Sequence, residues 1–263
     1  MDLGLRGRRA LVMGASKGLG RATAEALARE GAALAISGRD PGRLAPVLDS
    51  IRTLGAPQAH AFAADVADGD SMDRLADSAV AALGGVDILV LNHGGPPTGT
   101  ALDITDDLLR AWFPQIVLSP IRLANRLLPG MRERKWGRII AVGSTGMIQP
   151  IPNIALSNVL RAAIVGWTKT LSEQVAPDGV TVNILAPGSI ATDRTAQTAR
   201  AAADKSGRPL AEVEAERDRS IPARRQGRPD EFGAMAAFLA SDHAAYVTGT
   251  VTRVDGGAVR SVG

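Results

Sequence analysis

The chain alternates short apolar runs with longer stretches in which alanine and leucine recur at helical spacing. The runs at residues 10–13, 32–37, 59–64, 86–92, 138–142, 180–185 and 250–254 have the length and β-branched content of strands. Between them, residues 19–30, 43–54, 71–83, 106–134, 155–175 and 230–241 carry the apolar period of helices that bury one face. Strands alternating with helices of this length imply right-handed crossovers and a parallel sheet covered on both faces. The pattern predicts one doubly wound α/β domain spanning residues 1–263, with about seven strands in one sheet. No repeat or linker divides it. The rhythm breaks once, between Pro187-Gly188 and Asp230, where residues 195–205 and 209–219 read as two exposed helices. An excursion of that size, at about 193–222, is expected to be a cover or binding loop.

Composition narrows the chemistry. The 263 residues include 30 Lys and Arg against 27 Asp and Glu, a formal charge of only +3. Positive charge gathers only in short clusters (Arg6, Arg8 and Arg9; Arg132, Arg134 and Lys135; Arg224 and Arg225), which read as solvated surface rather than a nucleic-acid face. The absence of cysteine excludes disulfides, thiolate metal sites and cysteine nucleophiles. His60, His93 and His243 stand far apart and form no local metal motif. No apolar run approaches the ~18 residues of a membrane span, and the first residues have no signal-peptide pattern. The expectation is a soluble, cytoplasmic protein with a small-molecule partner, and with neither nucleic acid nor membrane.

Directly after the first strand comes Gly14-Ala15-Ser16-Lys17-Gly18-Leu19-Gly20, opening a helix. Such a junction brings backbone close to a pyrophosphate and aims the N–H groups and dipole of the helix at it. The second strand ends in Ser37-Gly38-Arg39-Asp40. Gly38 puts no carboxylate where a ribose 2′-hydroxyl would be held, and Arg39, with Lys17, suits a 2′-phosphate, so NADP(H) is favoured over NAD(H). Asp65 and Val66, ending the third strand, would sit beside the adenine.

These features, with Asn92-His93-Gly94, Gly143-Ser144, Val182-Asn183, Pro187-Gly188, Thr192 and Val254-Asp255-Gly256-Gly257, resemble the short-chain dehydrogenase/reductases over essentially the whole chain. The nearest likeness is to 3-oxoacyl-acyl-carrier-protein reductases, through residues 224–227 and 246–249. The resemblance implies a Rossmann-like fold, a homotetramer or homodimer, and hydride transfer between the nicotinamide and a carbonyl or alcohol, with an acyl thioester among the substrates. It implies that Asn92 and Gly94 line the cofactor, that Pro187, Gly188, Ile190 and Thr192 face its nicotinamide end, and that residues 195–219 cover the substrate. It also implies subunit contacts through helices 106–134 and 155–175.

The family's proton donor is a tyrosine, with a lysine four residues later, a serine on the substrate oxygen and an asparagine completing a relay. Ser144 matches the serine; the tyrosine position falls on Ser157, the lysine position on Arg161 and the asparagine position on Ile116. The sole tyrosine, Tyr246, lies before the last strand and is expected to pack beneath the sheet edge. A serine hydroxyl is a weaker acid than a phenol and shorter by a ring, whereas Arg161 keeps a positive charge able to hold ribose hydroxyls. His93 stands where the family usually has alanine, and an imidazole is a competent general acid, so it is a candidate donor acting through Ser144 or water. Three readings follow: a reductase with an altered acid; a cofactor-binding pseudoenzyme acting as sensor or partner; and cofactor-independent hydration or elimination in the same cleft. The arginines of the cover, Arg200, Arg208, Arg217 and Arg219, are read as solvated helix faces ahead of a site for an anionic acyl carrier.

Overall fold

Strand β1 (Arg9–Val12) leads through helix α1 (Gly18–Arg29) to β2 (Ala33–Gly38), α2 (Pro41–Thr53), β3 (Ala59–Ala63), α3 (Gly69–Leu83) and β4 (Ile88–Leu91). Helix α4 (Asp106–Phe113), a wide π turn (Pro114–Leu118) and α5 (Ser119–Glu133) precede β5 (Gly137–Val142) and α6 (Ala155–Val175). The chain closes with β6 (Val180–Pro187), α7 (Asp193–Ser206), α8 (Leu210–Ser220), α9 (Pro229–Ala240) and β7 (Val251–Val254). This computed structural model describes residues 2–262.

The seven strands form one sheet in the order β3-β2-β1-β4-β5-β6-β7, every pair parallel. Every residue of β4 and β5 is buried, as strands covered on both faces require. One face carries α3, α5 and α6 through Met72, Leu75, Leu123, Leu127, Leu160 and Ile164. The other carries α1, α2 and α9 through Leu27, Val47, Ile51, Phe232 and Leu239. Helices α1 and α9 cross so closely that a Cβ on Gly233 would lie 2.5 Å from the Ala22 carbonyl oxygen. After β3 the chain returns to the far side of β1 to make β4, so the flanking connections part at the carboxyl ends of β1 and β4. A crevice at such a reversal is where open parallel sheets bind ligands.

The helical pattern at 106–134 proves to be interrupted. Pro114 has no N–H to give the carbonyl one turn back, and the ladder resumes through a wider turn in which the Ser119 N–H donates to the Pro114 carbonyl. The wide turn leaves Ile116 fully buried. A second difference concerns Tyr246: its side chain is fully exposed instead of lying beneath the sheet edge, and its neighbour Val247 takes the packed position. Asn183 fixes that segment, its side-chain amide donating to the Val247 carbonyl at 2.7 Å and its oxygen accepting from Thr250. Among the described residues no helix is long and apolar enough to cross a membrane.

At the opposite end of the sheet a buried carboxylate joins three elements. Asp87, 4% exposed, accepts from Arg9 Nε and Nη2, each at 2.7 Å, and from Arg134 Nε at 2.9 Å. Burial alone pushes the Asp87 carboxyl up, but the hydrogen bonds and charge of Arg9, with the charge of Arg134, outweigh it and hold the group below its usual value. Removing one member strands the others with unpaired charge. Asp87→Ala is expected to lower the unfolding free energy by about 3 kcal/mol in urea titrations. Because the folded-state pKa is depressed, the Asp87 contribution is complete above the unfolded pKa of about 4 and is lost as pH falls below it. Wild type and Asp87→Ala should therefore converge in stability on acidification.

Candidate active site

The nucleotide crevice is built by close backbone approach. A Cβ on Gly20 would lie 2.3 Å from the Gly14 carbonyl oxygen, and one on Gly14, whose φ is +57°, would lie 2.8 Å from Asn92. No other residue fits either position without moving the loop. The buried Asn92 amide donates to the Met13 and Gly14 carbonyls at 3.2 and 3.1 Å, so it braces the loop from the end of β4. Helix α1 begins at Lys17 with no side-chain cap and no carboxylate in its first turn. Its leading N–H groups thus face the crevice without a side-chain acceptor, the condition that suits a pyrophosphate. Ser16 lies against the end of β2, where a Cβ on Gly38 would come within 3.6 Å of its own. Leu19 packs partly buried on the α1 side of the core.

Arg39 is exposed and makes no ion pair or hydrogen bond among the described residues, leaving its guanidinium for a ligand. Its neighbour Asp40 is engaged instead: it caps α2 by accepting from the Gly42 N–H at 2.9 Å and pairs with Arg43 at 3.3 Å. The exposed Asp65 carboxylate accepts from the Ala67 N–H at 3.0 Å, and the Val66 carbonyl accepts from Ser119 Oγ at 2.6 Å. These contacts shape the turn after β3.

The candidate catalytic residues gather at the ends of β4 and β5. A narrow, largely enclosed cleft of about 10 Å³, room for about one water, is lined by His93, Ile116, Val142, Gly143, Met147 and Arg161, of which Arg161 alone carries a charge at neutral pH. Ser157 and Arg161 occupy one face of α6, and Arg161 Nε donates to Ser157 Oγ at 3.3 Å. Nη1 of the same guanidinium donates to the Val142 carbonyl at 2.5 Å. Arg161 is only 8% exposed, yet no carboxylate pairs with it and Nη2 has no protein partner among the described residues. Burial, and next the positive charge of Arg194, pull its pKa down to about 10, so it remains a cation at neutral pH. Ser144 follows Gly143, and its Oγ accepts from the Gly146 N–H at 3.1 Å, which leaves its own proton to donate.

His93 Nδ1 donates to the Gly94 carbonyl at 2.8 Å, which fixes the tautomer and leaves Nε2 with its lone pair. Burial and the charge of Arg161 outweigh that bond and pull the imidazole pKa to about 3. His93 is therefore neutral across the physiological range.

The segment after β6 reaches back over the crevice. Thr192 caps α7 and lies against the glycine loop, with a Cβ on Gly18 coming 3.6 Å from its methyl group. Asp193 pairs with Lys17 at 3.1 Å, and Arg194 Nη2 donates to the Pro96 carbonyl at 2.9 Å. Pro187 and Gly188 lead into this segment, Gly188 lying so close to Asp255 that a Cβ would fall 2.7 Å from it. Ile190 is buried against Gly227, so its side chain turns into the protein. Of the cover's arginines, Arg208 pairs with Glu216 and Arg217 with Asp218, whereas Arg200 is exposed. Arg194 is the residue that sequence reasoning missed. Nothing in its local spacing separates it from the other arginines; only the fold places it beside Pro96 and within electrostatic reach of Arg161.

Comparison with known proteins agrees with this architecture. The family model described as enoyl-(acyl carrier protein) reductase matches residues 14–259. The chain is 33% identical to the NADPH-dependent reductase BacG of Bacillus subtilis, over 97% of its own length and 99% of that protein. It is 35% identical to the 3-oxoacyl-(acyl-carrier-protein) reductase FabG of Vibrio harveyi, over 97% and 98%. The crystal structure of L-sorbose reductase from Gluconobacter frateurii, complexed with NADPH and L-sorbose, superposes with a TM-score of 0.94 at 32% identity over 100% of both chains. A match that runs from the glycine loop to the last strand, in sequence and in fold alike, makes this chain a member of the short-chain dehydrogenase/reductase family.

Proposed function

We propose that the protein is an NADPH-dependent carbonyl reductase in which the buried Arg161 cation takes over the electrostatic work of a missing phenol. The observation that carries this reading is the guanidinium itself. It is buried, held by Val142 and Ser157, free of any carboxylate among the described residues, and on the wall of a narrow cleft at the ends of β4 and β5. Retaining a charge there has a physical cost that an apolar residue would avoid, and a developing oxyanion is what such a charge stabilises.

In this reading Gly14, Ser16, Lys17, Gly18, Leu19 and Gly20 hold the pyrophosphate, and Arg39 takes the 2′-phosphate. Asp65 and Val66 flank the adenine, while Asn92, Gly94, Pro187, Gly188, Ile190 and Thr192 shape the nicotinamide end. Relatives that use NADPH support the cofactor choice. The bound nicotinamide supplies a hydride to the carbonyl carbon. The carbonyl electron pair then collects on oxygen, where Arg161 Nη2 and the Ser144 hydroxyl stabilise it. One proton, drawn from water through the Ser144 or Ser157 hydroxyl, converts that oxygen to the alcohol. Neutral His93 serves as a polar wall of the cleft and holds no proton in store. Residues 193–222 close over the substrate, and the outer faces of α5 and α6 pack against a second copy. A non-catalytic cofactor sensor is the competing reading, favoured by the absence of a phenol and a lysine at positions 157 and 161.

Three outcomes test this proposal. Arg39→Ala should raise the NADPH dissociation constant about tenfold in calorimetric titrations and leave NADH binding within a factor of two. Arg161→Met should reduce kcat for NADPH oxidation, followed at 340 nm, by about 100-fold, with Arg161→Lys recovering part of it. Nitrogen NMR of His93 should show an Nδ1-protonated imidazole that does not titrate between about pH 5 and 8. A titration midpoint near 6.5 would restore its imidazolium as the proton donor.

A further inference from the structure

One side chain holds both ends of the segment that follows β5. Ser144 caps a single tight helical turn (Thr145–Met147), its Oγ accepting from the Gly146 N–H at 3.1 Å. Gly143 before this turn and Met147 within it line the cleft. Asn158, in the first turn of α6, reaches back over the segment. Its Nδ2 donates to the Ile151 carbonyl at 2.9 Å, and its Oδ1 lies against Gly146, where an added Cβ would fall 2.4 Å from it. The same Cβ would lie 3.3 Å from Ser144 Oγ, so the two oxygens flank the space that a side chain at position 146 would fill. Asn158 Oδ1 is buried without a hydrogen-bond donor, a condition shared among the described residues only by Thr23 Oγ1. An unpaired buried acceptor destabilises a fold, and the Nδ2 bond is exposed and contributes little. Stability therefore does not account for an amide here. What its two halves accomplish together is to fix the turn that carries Ser144.

We infer that Asn158 is a positioning residue for Ser144, gripping Ile151 and bearing on Gly146 so that the Ser144 proton stays free for a substrate oxygen. The role of Ser144 rests on the reductase reading; the clamp on its turn is the new element. Gly146 N–H occupies one lone pair of Ser144 Oγ, and the hydroxyl proton has no protein acceptor among the described residues. A loosened turn moves Gly146 off that oxygen, the hydroxyl rotates freely, and the developing oxyanion loses a preorganised donor. Asn158 itself does not line the cleft, so it acts through the turn alone.

Two readouts on the full-length protein test this. Amide hydrogen exchange at Gly146 reports the bond to Ser144 directly. In Asn158→Ala it is expected to run about fivefold faster, with Leu89 and Ile140 in the central strands unchanged. Turnover is read as NADPH oxidation at 340 nm with a panel of ketones and 3-oxoacyl thioesters, cyclohexanone and acetoacetyl-coenzyme A among them. Asn158→Ala should lower kcat about tenfold and leave KM for NADPH within about twofold, and Ser144→Ala/Asn158→Ala should be no slower than Ser144→Ala alone. Gly146→Ala, which puts a methyl into the space between the two oxygens, should lower kcat in the same way and likewise add nothing to Ser144→Ala. Unchanged Gly146 exchange in Asn158→Ala, or losses that multiply in the double variants, overturn the inference. So does a loss confined to KM for NADPH, which would assign Asn158 to the cofactor. A wild type that reduces no carbonyl in the panel removes the reductase reading, and Gly146 exchange then decides whether Asn158 holds the turn.

Discussion

A guanidinium buried without a carboxylate is the constraint around which the site is organised. Arg161 can remain charged in that position because Val142 offers a backbone carbonyl at 2.5 Å and Ser157 a hydroxyl at 3.3 Å. Both partners come from the strand end and the helix that form the cleft, so the cation is fixed relative to the sheet. Two neutral acceptors solvate a cation without neutralising it. Burial, and next the same charge, keep His93 neutral. The cation also favours whatever negative charge arrives or develops in the cleft.

The fold determines where that charge works. Reversal of strand order at β1 and β4 opens a crevice at their carboxyl ends, and the glycine loop, Asn92 and the uncapped start of α1 make it suitable for a dinucleotide. The cleft around Arg161 lies at the ends of the next strands. Lys17–Asp193 and Arg194–Pro96 fasten the first turn of the cover to the glycine loop and to the segment after β4. Nucleotide site, cleft and cover therefore share contacts, and a ligand that alters one of these links acts on the others.

Much of this was legible from residue order. Seven strands and the doubly wound layout followed from apolar runs that do not alternate, because a sheet covered on both faces leaves that trace in each strand. The glycine loop was equally legible, since its demands on backbone are local. Pro114 hid the break after α4: its neighbours keep helical spacing, and the wide turn is visible only once Ser119 closes back on the Pro114 carbonyl. Tyr246 was misplaced because aromatic residues near a strand usually pack, whereas the turn before β7 lets Val247 take that role. Arg161 could be assigned to a helix face, but its lack of a counter-charge is a property of elements far apart in sequence. The same holds for Arg194, one arginine among several on the cover until Pro96 and Arg161 are brought alongside it.

The most direct measurement is single-turnover oxidation of NADPH carrying deuterium at the transferred C4 position, by wild type and Arg161→Met, with a panel of ketones, oxo acids and 3-oxoacyl thioesters. A reductase working through Arg161 should give a 340 nm decay with a primary isotope effect, slowed about 100-fold in the variant while NADPH remains bound. Tight NADPH binding by the wild type with no decay against any carbonyl, or a decay indifferent to Arg161, would contradict that chemistry.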